Sequence, residues 1–319
     1  MMRIVIITQG LSPIVAPLTK THSVVGVVEA RSPKQKTNKP HSAWSVLTSL
    51  RKGYRPNRVC TLKNYCAKAS IPYWYMSDGC SVALQKWMND LHPDLVCVYS
   101  MSELLRENIY RIPRCGTINL HPSLLPKYRG PNPYFWILLN EEKESGATIH
   151  YIDKGEDTGN ILAQEAFSVS DAMTMSELRS ASVNLGVQLM LGVIDRLENG
   201  SVATVRQPLN SPTVRARRVK PGEYHSLIQW EEWPSARIRR LFKREVVKIA
   251  DLFPEASGHF WWDWKIQDVT PQTPATQRPG TFQVDAGVFT LFCKDGSIRF
   301  VRRFVGIKQV VRALIGKLL

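Results

Sequence analysis

An alternation of short apolar runs with longer helical patterns fills the first part of the chain and constrains its fold more than any other feature. The apolar runs are rich in Val and Ile, and they predict strands at about 3–8, 23–29, 71–76, 94–99 and 116–120. Strands that alternate with helices are typical of a parallel, doubly wound sheet. The run 94–99 is apolar on both faces, as a strand at the centre of such a sheet should be. We therefore expect an α/β fold with a Rossmann-like doubly wound sheet.

Periodicity and turn residues divide the rest of the chain. We predict helices at about 82–91, 132–140, 174–198 and 235–252, strands at 147–153 and 161–169, and a hairpin of strands 288–293 and 298–301. The stretch 205–222 is polar and punctuated by prolines, which is typical of a linker. We expect an N-terminal domain of residues 1–204, this linker, and a C-terminal domain of residues 223–319 with a helix and a barrel-like, β-rich part.

Two segments hold the excess positive charge of the chain. The formal net charge is +15, and residues 31–70 carry ten basic side chains and no acidic one. From residue 201 onwards, twenty Lys and Arg face ten Asp and Glu. Such patches attract polyanions and steer their approach. The alternative is a pair of solvated basic faces that serve solubility.

Several classes of protein lack their sequence signals here. Gly10 is the single glycine of the first strand-to-helix turn, and no Walker-type Gly-Lys-Ser/Thr occurs, which argues against a dinucleotide enzyme or a P-loop enzyme. The six cysteines are irregularly spaced, so we expect reduced thiols and no metal site. The chain has no apolar run long enough to span a bilayer, and residues 1–10 predict a buried strand and no signal peptide. We expect a cytoplasmic protein without membrane insertion.

The segment from Asn119 to Gly130, with the sequence NLHPSLLPKYRG, has the residue types of a catalytic strand end. Asn119 and His121 are two residues apart, so a strand directs both side chains to the same face. They lie at the carboxyl edge of the predicted sheet, where open α/β sheets bind ligands. Pro122, Pro126 and Gly130 hold the loop that follows in a stiff, non-helical path. A lone His at this place is more often a packing residue, but the neighbouring Asn and the rigid loop favour a catalytic role.

A second motif, GATIHYIDKGEDTG at residues 146–159, follows the first. Together the two motifs resemble the signature of the formyltetrahydrofolate-dependent formyltransferases, which include methionyl-tRNA formyltransferase, glycinamide ribonucleotide formyltransferase, formyltetrahydrofolate hydrolases and sugar N-formyltransferases. The resemblance is strong over about residues 90–200. It implies that the chain is an enzyme with Asn119, His121 and Asp157 as catalytic residues and 10-formyltetrahydrofolate as co-substrate. An amide or imidazole donor would stabilise the charge that develops on the formyl oxygen, and a carboxylate would manage the amine proton.

The resemblance also implies where ligands are held. It assigns cofactor contacts to Met101, Leu104, Leu105, Asp153 and Glu156, and substrate contacts to Ser123, Arg129, Gly130 and Asn132. Residues 99–101 depart from the Gly-containing stretch that many relatives have there. His150 matches a His of some relatives, and a role as an ordinary strand residue is an equal alternative.

The amine that receives the formyl group stays open at this stage, as does the oligomeric state. The basic stretch 31–68 and the arginines of the C-terminal part resemble the tRNA-binding elements of methionyl-tRNA formyltransferases, and phosphate contacts suit them. Residues 130–136, which include Tyr134, Phe135 and Trp136, are more similar to the sugar N-formyltransferases, which act on nucleotide-linked amino sugars; the three aromatic side chains could instead pack a helix. A formyltetrahydrofolate hydrolase and a non-catalytic RNA-binding protein are the more distant alternatives.

Overall fold

Two units make up the chain, and each draws on more than one segment. The computed structural model describes residues 1–31, 61–76, 81–101, 103–220, 222–254, 262–270 and 277–304. The first unit comprises Met1–Tyr134, Glu144–Ser168 and Arg179–Ala216, and the second comprises Phe135–Lys143, Val169–Leu178 and Arg217–Leu319. The predicted domain boundaries at residues 204 and 222 stay predictions. Most of the basic stretch 31–70 lies outside the described residues.

The first unit is built on a seven-stranded sheet with the order β3-β2-β1-β4-β5-β6-β7. Its strands are β1 (Arg3–Thr8), β2 (Ser23–Ala30), β3 (Tyr73–Met76), β4 (Leu95–Tyr99), β5 (Thr117–His121), β6 (Glu144–Tyr151) and β7 (Ile161–Ser168). The helices up to residue 200 are α1 (Val15–Thr21), α2 (Leu62–Lys68), α3 (Val82–Asp90), α4 (Glu107–Tyr110), α5 (Pro133–Leu139) and α6 (Met175–Glu198).

The first five strands have the predicted parallel direction, and the last two, for which no direction was predicted, are antiparallel. Strands β1 to β5 pair in parallel. β6 is antiparallel to β5, and β7 is antiparallel to β6. β6 and β7 were expected as strands, but nothing in an apolar run fixes the direction of its partner. The α/β fold class with a doubly wound sheet is confirmed.

β1, in the middle of the parallel part of the sheet, is apolar on both faces because a hydrophobic cluster covers each face there. Ile4 and Ile6 of β1 belong to one cluster and Val5 and Ile7 to the other, and all four side chains are fully buried. Successive strand residues point to opposite faces, so a strand between two cores has no polar side. This arrangement leaves polar side chains to the strand ends, where the candidate site lies.

The second unit contains helices α7 (Ser235–Lys243) and α8 (Ile249–Leu252) and a four-stranded antiparallel sheet. The strands are β8 (Trp262–Thr270), β9 (Phe282–Asp285), β10 (Val288–Cys293) and β11 (Gly296–Phe304), in the order β8-β11-β10-β9. The prediction of a β-rich C-terminal part is confirmed, and so is the hairpin of β10 and β11. The single helix predicted over 235–252 is wrong, because the chain turns at Glu245, with φ +59°, and buries Val246 and Val247.

Residues 205–216 belong to the first unit, although their prolines suggested a linker. Val205 forms a β-bridge with Ile161, and Gln207 and Ala216 are buried. Cys66, Cys97, Cys115 and Cys293, the cysteines within the described residues, are free thiols. Among the described residues, no helix combines the length and apolar character needed to cross a bilayer.

Candidate active site

The site begins at the carboxyl end of β5, where the strand pairs with β6. Asn119 lies opposite His150 in the register of the two antiparallel strands, and His121 lies opposite Thr148. Directly opposed residues bring their side chains close together on one face of a sheet. The Asn119 Nδ2 atom lies 3.1 Å from His150 Nε2. The pairing therefore adds His150 to the two polar residues expected at this strand end.

Asp157 completes the cluster from the loop between β6 and β7. Its Oδ2 atom accepts a hydrogen bond of 2.9 Å from the backbone N–H of Gly130 and lies 3.4 Å from His121 Nδ1. Its Oδ1 atom lies 3.4 Å from Asn119 Nδ2 and 3.5 Å from His150 Nε2. Asn119, His121 and Asp157, which only the resemblance connected, thus converge on one point.

Backbone carbonyls fix the proton positions on both imidazole rings. His121 Nε2 lies 3.0 Å from Tyr128 O, and His150 Nδ1 lies 2.8 Å from Tyr151 O. A carbonyl oxygen only accepts, so each of these nitrogens carries the hydrogen. His150 Nε2 is then free to accept from the Asn119 amide, and His121 directs its second nitrogen, Nδ1, at the Asp157 carboxylate.

The charges of the cluster follow from burial and from these contacts. Burial lowers the pKa of His121, and the attraction of Asp157 opposes this effect without reversing it. Burial alone would raise the pKa of Asp157, but the attraction between the carboxylate and the His121 ring once that ring is protonated, the neighbouring His150 ring and the hydrogen bond from the Gly130 N–H outweigh it and hold that pKa below its usual range. At neutral pH the site therefore contains an ionised carboxylate next to a neutral His121 ring.

This charge state predicts an acid-sensitive stability. His121 resists protonation in the folded protein but takes up a proton near its ordinary pKa when unfolded, so its contribution is fully present above about pH 6.5 and is lost as pH falls. We expect His121→Gln to flatten the decrease in the free energy of unfolding between about pH 7 and 5, by at most about 1.4 kcal/mol per pH unit. Urea unfolding across this range checks it. The exposed His92, changed to Asn, is the control, and an unchanged slope in His121→Gln would contradict the assignment.

The residues predicted to contact substrate have mixed surroundings. Ser123 is fully buried and donates its hydroxyl to Lys127 O, and Arg129 is 8% exposed and donates to oxygens of residues 207–209. These contacts engage both side chains inside the protein, and the substrate contacts assigned to them stay predictions. Gly130 contributes its backbone N–H to Asp157, and Asn132 is half-buried two residues further on.

The residues predicted to contact the cofactor divide in a similar way. Leu105 is buried and Met101 packs against the same hydrophobic cluster, whereas Leu104 is 62% exposed. The Asp153 carboxylate accepts from Gly155 N and from Thr158 Oγ1, so it shapes its own loop. Within the part of the chain described, no group of three or more His, Cys, Asp or Glu side chains is arranged to hold a metal ion.

Sequence reasoning missed two contacts of the loop that carries Asp157. Glu156, whose predicted contact with the cofactor stays a prediction, forms a two-point ion pair with Arg215, with 2.6 Å between Oε1 and Nη2. Gln207 donates to the carbonyl oxygens of Asp157 and Gly159. Both partners lie in the stretch interpreted as a linker, where a polar, proline-rich composition gave no signal for either of them.

Sequence comparison places this site in a known family. Residues 2–194 match the formyl transferase family. The methionyl-tRNA formyltransferase of Caldanaerobacter subterraneus subsp. tengcongensis is 32% identical over 234 residues, which cover 70% of this chain and 72% of that enzyme. The methionyl-tRNA formyltransferase of Clostridium novyi (strain NT) is 30% identical over 178 residues, 50% of this chain and 57% of that enzyme. The chain thus belongs to the formyl transferase family, and its match spans about half the length of several of these relatives, such as 50% of the Alkaliphilus oremlandii enzyme.

Solved structures share the fold along nearly the whole chain. WlaRD, a sugar 3N-formyl transferase solved with dTDP and 5-N-formyl-THF, has a TM-score of 0.59 at 17% identity and covers 96% of this chain and 98% of its own. An N-formyltransferase from Helicobacter canadensis, solved with folinic acid and dTDP-3-aminofucose, has the same TM-score and identity and covers 95% of this chain and 100% of its own. At this identity the likeness is one of fold.

Proposed function

We propose that this chain transfers a formyl group from 10-formyltetrahydrofolate to a primary amine. The convergence of Asn119, His121 and Asp157 at the end of β5 carries the proposal, together with membership of the formyl transferase family. The reaction forms a bond between the amine nitrogen and the formyl carbon and breaks the bond from that carbon to N10 of the folate. One proton leaves the amine and one reaches N10, so no further reactant is needed.

Asn119 is suited to stabilise the formyl oxygen as it gains negative charge. Its amide carries two N–H groups, one directed at His150 Nε2 at 3.1 Å and the other at Asp157 Oδ1 at 3.4 Å. The second contact is long for a hydrogen bond and correspondingly weak. A formyl oxygen that replaces this contact would receive a donor already oriented by His150, which is the preorganisation that lowers such barriers.

His121 is suited to accept the proton of the amine, and Asp157 is suited to stabilise the positive charge that results. The low pKa of Asp157 makes its carboxylate a weak proton acceptor and a lasting negative charge. His121 Nδ1 lies 3.4 Å from that charge and lacks a hydrogen when the ring is neutral. The His121 ring would therefore take the proton from the attacking amine, Asp157 would stabilise the resulting imidazolium, and the proton would pass on to N10.

The acceptor we favour is an anionic amine of the methionyl-tRNA class. The matched relatives with 30 to 39% identity that carry this name support it, and so does the basic stretch 31–70. The C-terminal arginines support it less than their number suggested, since Arg215 pairs with Glu156, Arg217 with Glu223, and Arg237 and Arg240 with Glu141.

A nucleotide-linked amino sugar is the second candidate, favoured by the fold shared with the sugar N-formyltransferase WlaRD. The aromatic residues that first pointed to it have another explanation. Tyr134, Phe135 and Trp136 are each less than a tenth exposed, and Trp136 Nε1 donates to Arg217 O. These contacts suit the packing of α5, so the local motif no longer argues for a sugar.

A competition between acceptors tests the choice. With 10-formyltetrahydrofolate present, we expect formylation of methionyl initiator tRNA, with kcat/KM falling at least about tenfold between about 50 and 200 mM salt as phosphate contacts are screened. Uncharged tRNA should inhibit at low salt. Formylation of a nucleotide amino sugar alone would favour the second candidate. Release of free formate without a formylated amine would indicate a hydrolase, and tRNA binding without any transfer would indicate an RNA-binding protein.

A further inference from the structure

The segment 207–216, here termed the bridging segment, contacts two loops, one that follows the strand carrying Asn119 and His121 and one that carries Asp157. One is the loop 122–132 after β5, and the other is the loop 152–160 between β6 and β7. Gln207 at the start of the bridging segment is 6% exposed, and Ala216 at its end is fully buried. Two proline-containing stretches far apart in sequence thus contact the Asp157 loop, and the reaction derived above uses no residue of the bridging segment.

Gln207 binds the backbone at Asp157 and at Gly159. Its Nε2 atom donates to Asp157 O at 3.0 Å and to Gly159 O at 2.7 Å. Asp157 has a φ of +54°, a left-handed conformation that is strained for a non-glycine residue and persists where surrounding contacts impose it. The Gln207 amide provides one such contact at Asp157, whose carboxylate faces His121, and a second one two residues further on, at Gly159.

Arg129 in turn fixes the position of Gln207. Its Nη2 atom donates to Gln207 Oε1 at 2.8 Å and to Pro208 O at 2.8 Å, and Nη1 donates to Leu209 O at 3.0 Å. A buried guanidinium that binds three oxygens of one short segment orients that segment strongly. The Gln207 amide oxygen is thereby taken by Arg129, which leaves its nitrogen directed at the Asp157 loop.

Backbone contacts attach the other end of the bridging segment to Gly130. The Ala216 N–H donates to Arg129 O at 2.7 Å, and Asn132 N–H donates to Ala216 O at 2.8 Å. Gly130, between these two bonds, has a φ of +118°, and a Cβ there would lie 3.0 Å from Ala216 O. The bridging segment therefore also fixes the direction of the Gly130 N–H that is donated to Asp157.

We propose that Gln207 and Arg129 are positioning residues that hold Asp157 at the distance from His121 at which its negative charge stabilises the imidazolium formed during the reaction. This inference rests on the proposed function and gives Arg129 a role other than the predicted contact with substrate. Gln207 acts on the Asp157 backbone, and Arg129 acts through Gln207. Neither side chain reacts itself, and both act by positioning Asp157. Their loss should therefore slow the chemical step more than it weakens the binding of either substrate.

Two substitutions of Gln207 separate its two contacts. Gln207→Glu keeps an oxygen that accepts from Arg129 but removes the N–H donor to Asp157 O and Gly159 O. Gln207→Met removes the acceptor oxygen as well as the donor. Displacement of a catalytic group lowers the rate of the chemical step by about tenfold to a hundredfold. We expect both variants to lose kcat in this range, with KM for 10-formyltetrahydrofolate and for the amine within about threefold of wild type. If Gln207→Met does not fold, Gln207→Glu alone decides the test.

Two controls give the result its meaning. Val214→Ala alters an exposed side chain of the same segment and should keep the wild-type kcat. Met190→Ala opens a cavity in the core below α6 and should lower the melting temperature without changing kcat per folded molecule. The inference would be overturned if the Gln207 variants retain the wild-type kcat, or if they lose activity only because less protein is folded, as expected for Met190→Ala. The proposed function would still be supported in that case, because the wild type would be active. A wild type that transfers no formyl group to either acceptor would overturn both.

Discussion

Replacing Asp157 with Asn is expected to slow formyl transfer about a thousandfold while leaving the fold in place. The Asn side chain keeps an oxygen that can accept from Gly130 N–H, so the loop retains its main contact. The negative charge next to His121 is lost, and the imidazolium that forms when the ring takes the amine proton is no longer stabilised. Single-turnover assays with saturating 10-formyltetrahydrofolate measure the effect on the chemical step.

The control for this variant is Asp195→Asn, which removes a carboxylate from the exposed side of α6. It should transfer the formyl group at the wild-type rate. Folate binding, followed by fluorescence, should be similar in both variants, because Asp157 acts after the donor is bound. Full activity of Asp157→Asn would exclude the mechanism proposed for the proton.

Asn119→Leu is expected to have the second largest effect, a loss of kcat of about a hundredfold to a thousandfold. The variant removes both N–H groups of the amide, one of which is proposed to bind the formyl oxygen as it becomes charged. It also removes the hydrogen bond to His150 Nε2. The effect should appear in kcat and in kcat/KM alike, since the interaction forms in the transition state. Steady-state rates at a fixed acceptor concentration check it.

Asn89→Leu, on the exposed side of α3, is the matched control for the change of residue type. It should be fully active. If Asn119→Leu changes only the KM for the folate and leaves kcat unchanged, Asn119 acts in binding the formyl donor and not in the chemical step.

Much of the first unit could be predicted from local pattern. β1 and β4 are apolar on both faces, β2 is rich in Val, and β5 alternates buried Ile118 and Leu120 with polar residues, so these strands were recognisable without knowledge of their neighbours. The antiparallel direction of β6 and β7 could not be predicted, because direction depends on the path of the chain between strands. β8 went unrecognised although Trp262, Trp264 and Ile266 alternate along it, and β9 is only four residues long and largely exposed.

The candidate site was predictable in part for a physical reason. The i, i+2 spacing of Asn119 and His121 places them on one strand face, and this follows from the pleat alone. Their meeting with Asp157 depends on the path of a loop, and only the resemblance to a family suggested it. Gln207 is 50 residues from Asp157 in sequence, and its contact arises from tertiary packing that no local pattern encodes.

Measuring both products of one reaction tests the central claim most directly. The purified chain is incubated with 10-formyltetrahydrofolate carrying a labelled formyl group and with methionyl initiator tRNA or a nucleotide amino sugar. Tetrahydrofolate and labelled N-formyl amine are then quantified in the wild type and in Asp157→Asn. The proposed function predicts that the wild type forms the two products in equal amounts and that Asp157→Asn forms almost none. Tetrahydrofolate release without labelled amine, or equal yields from both proteins, would contradict it.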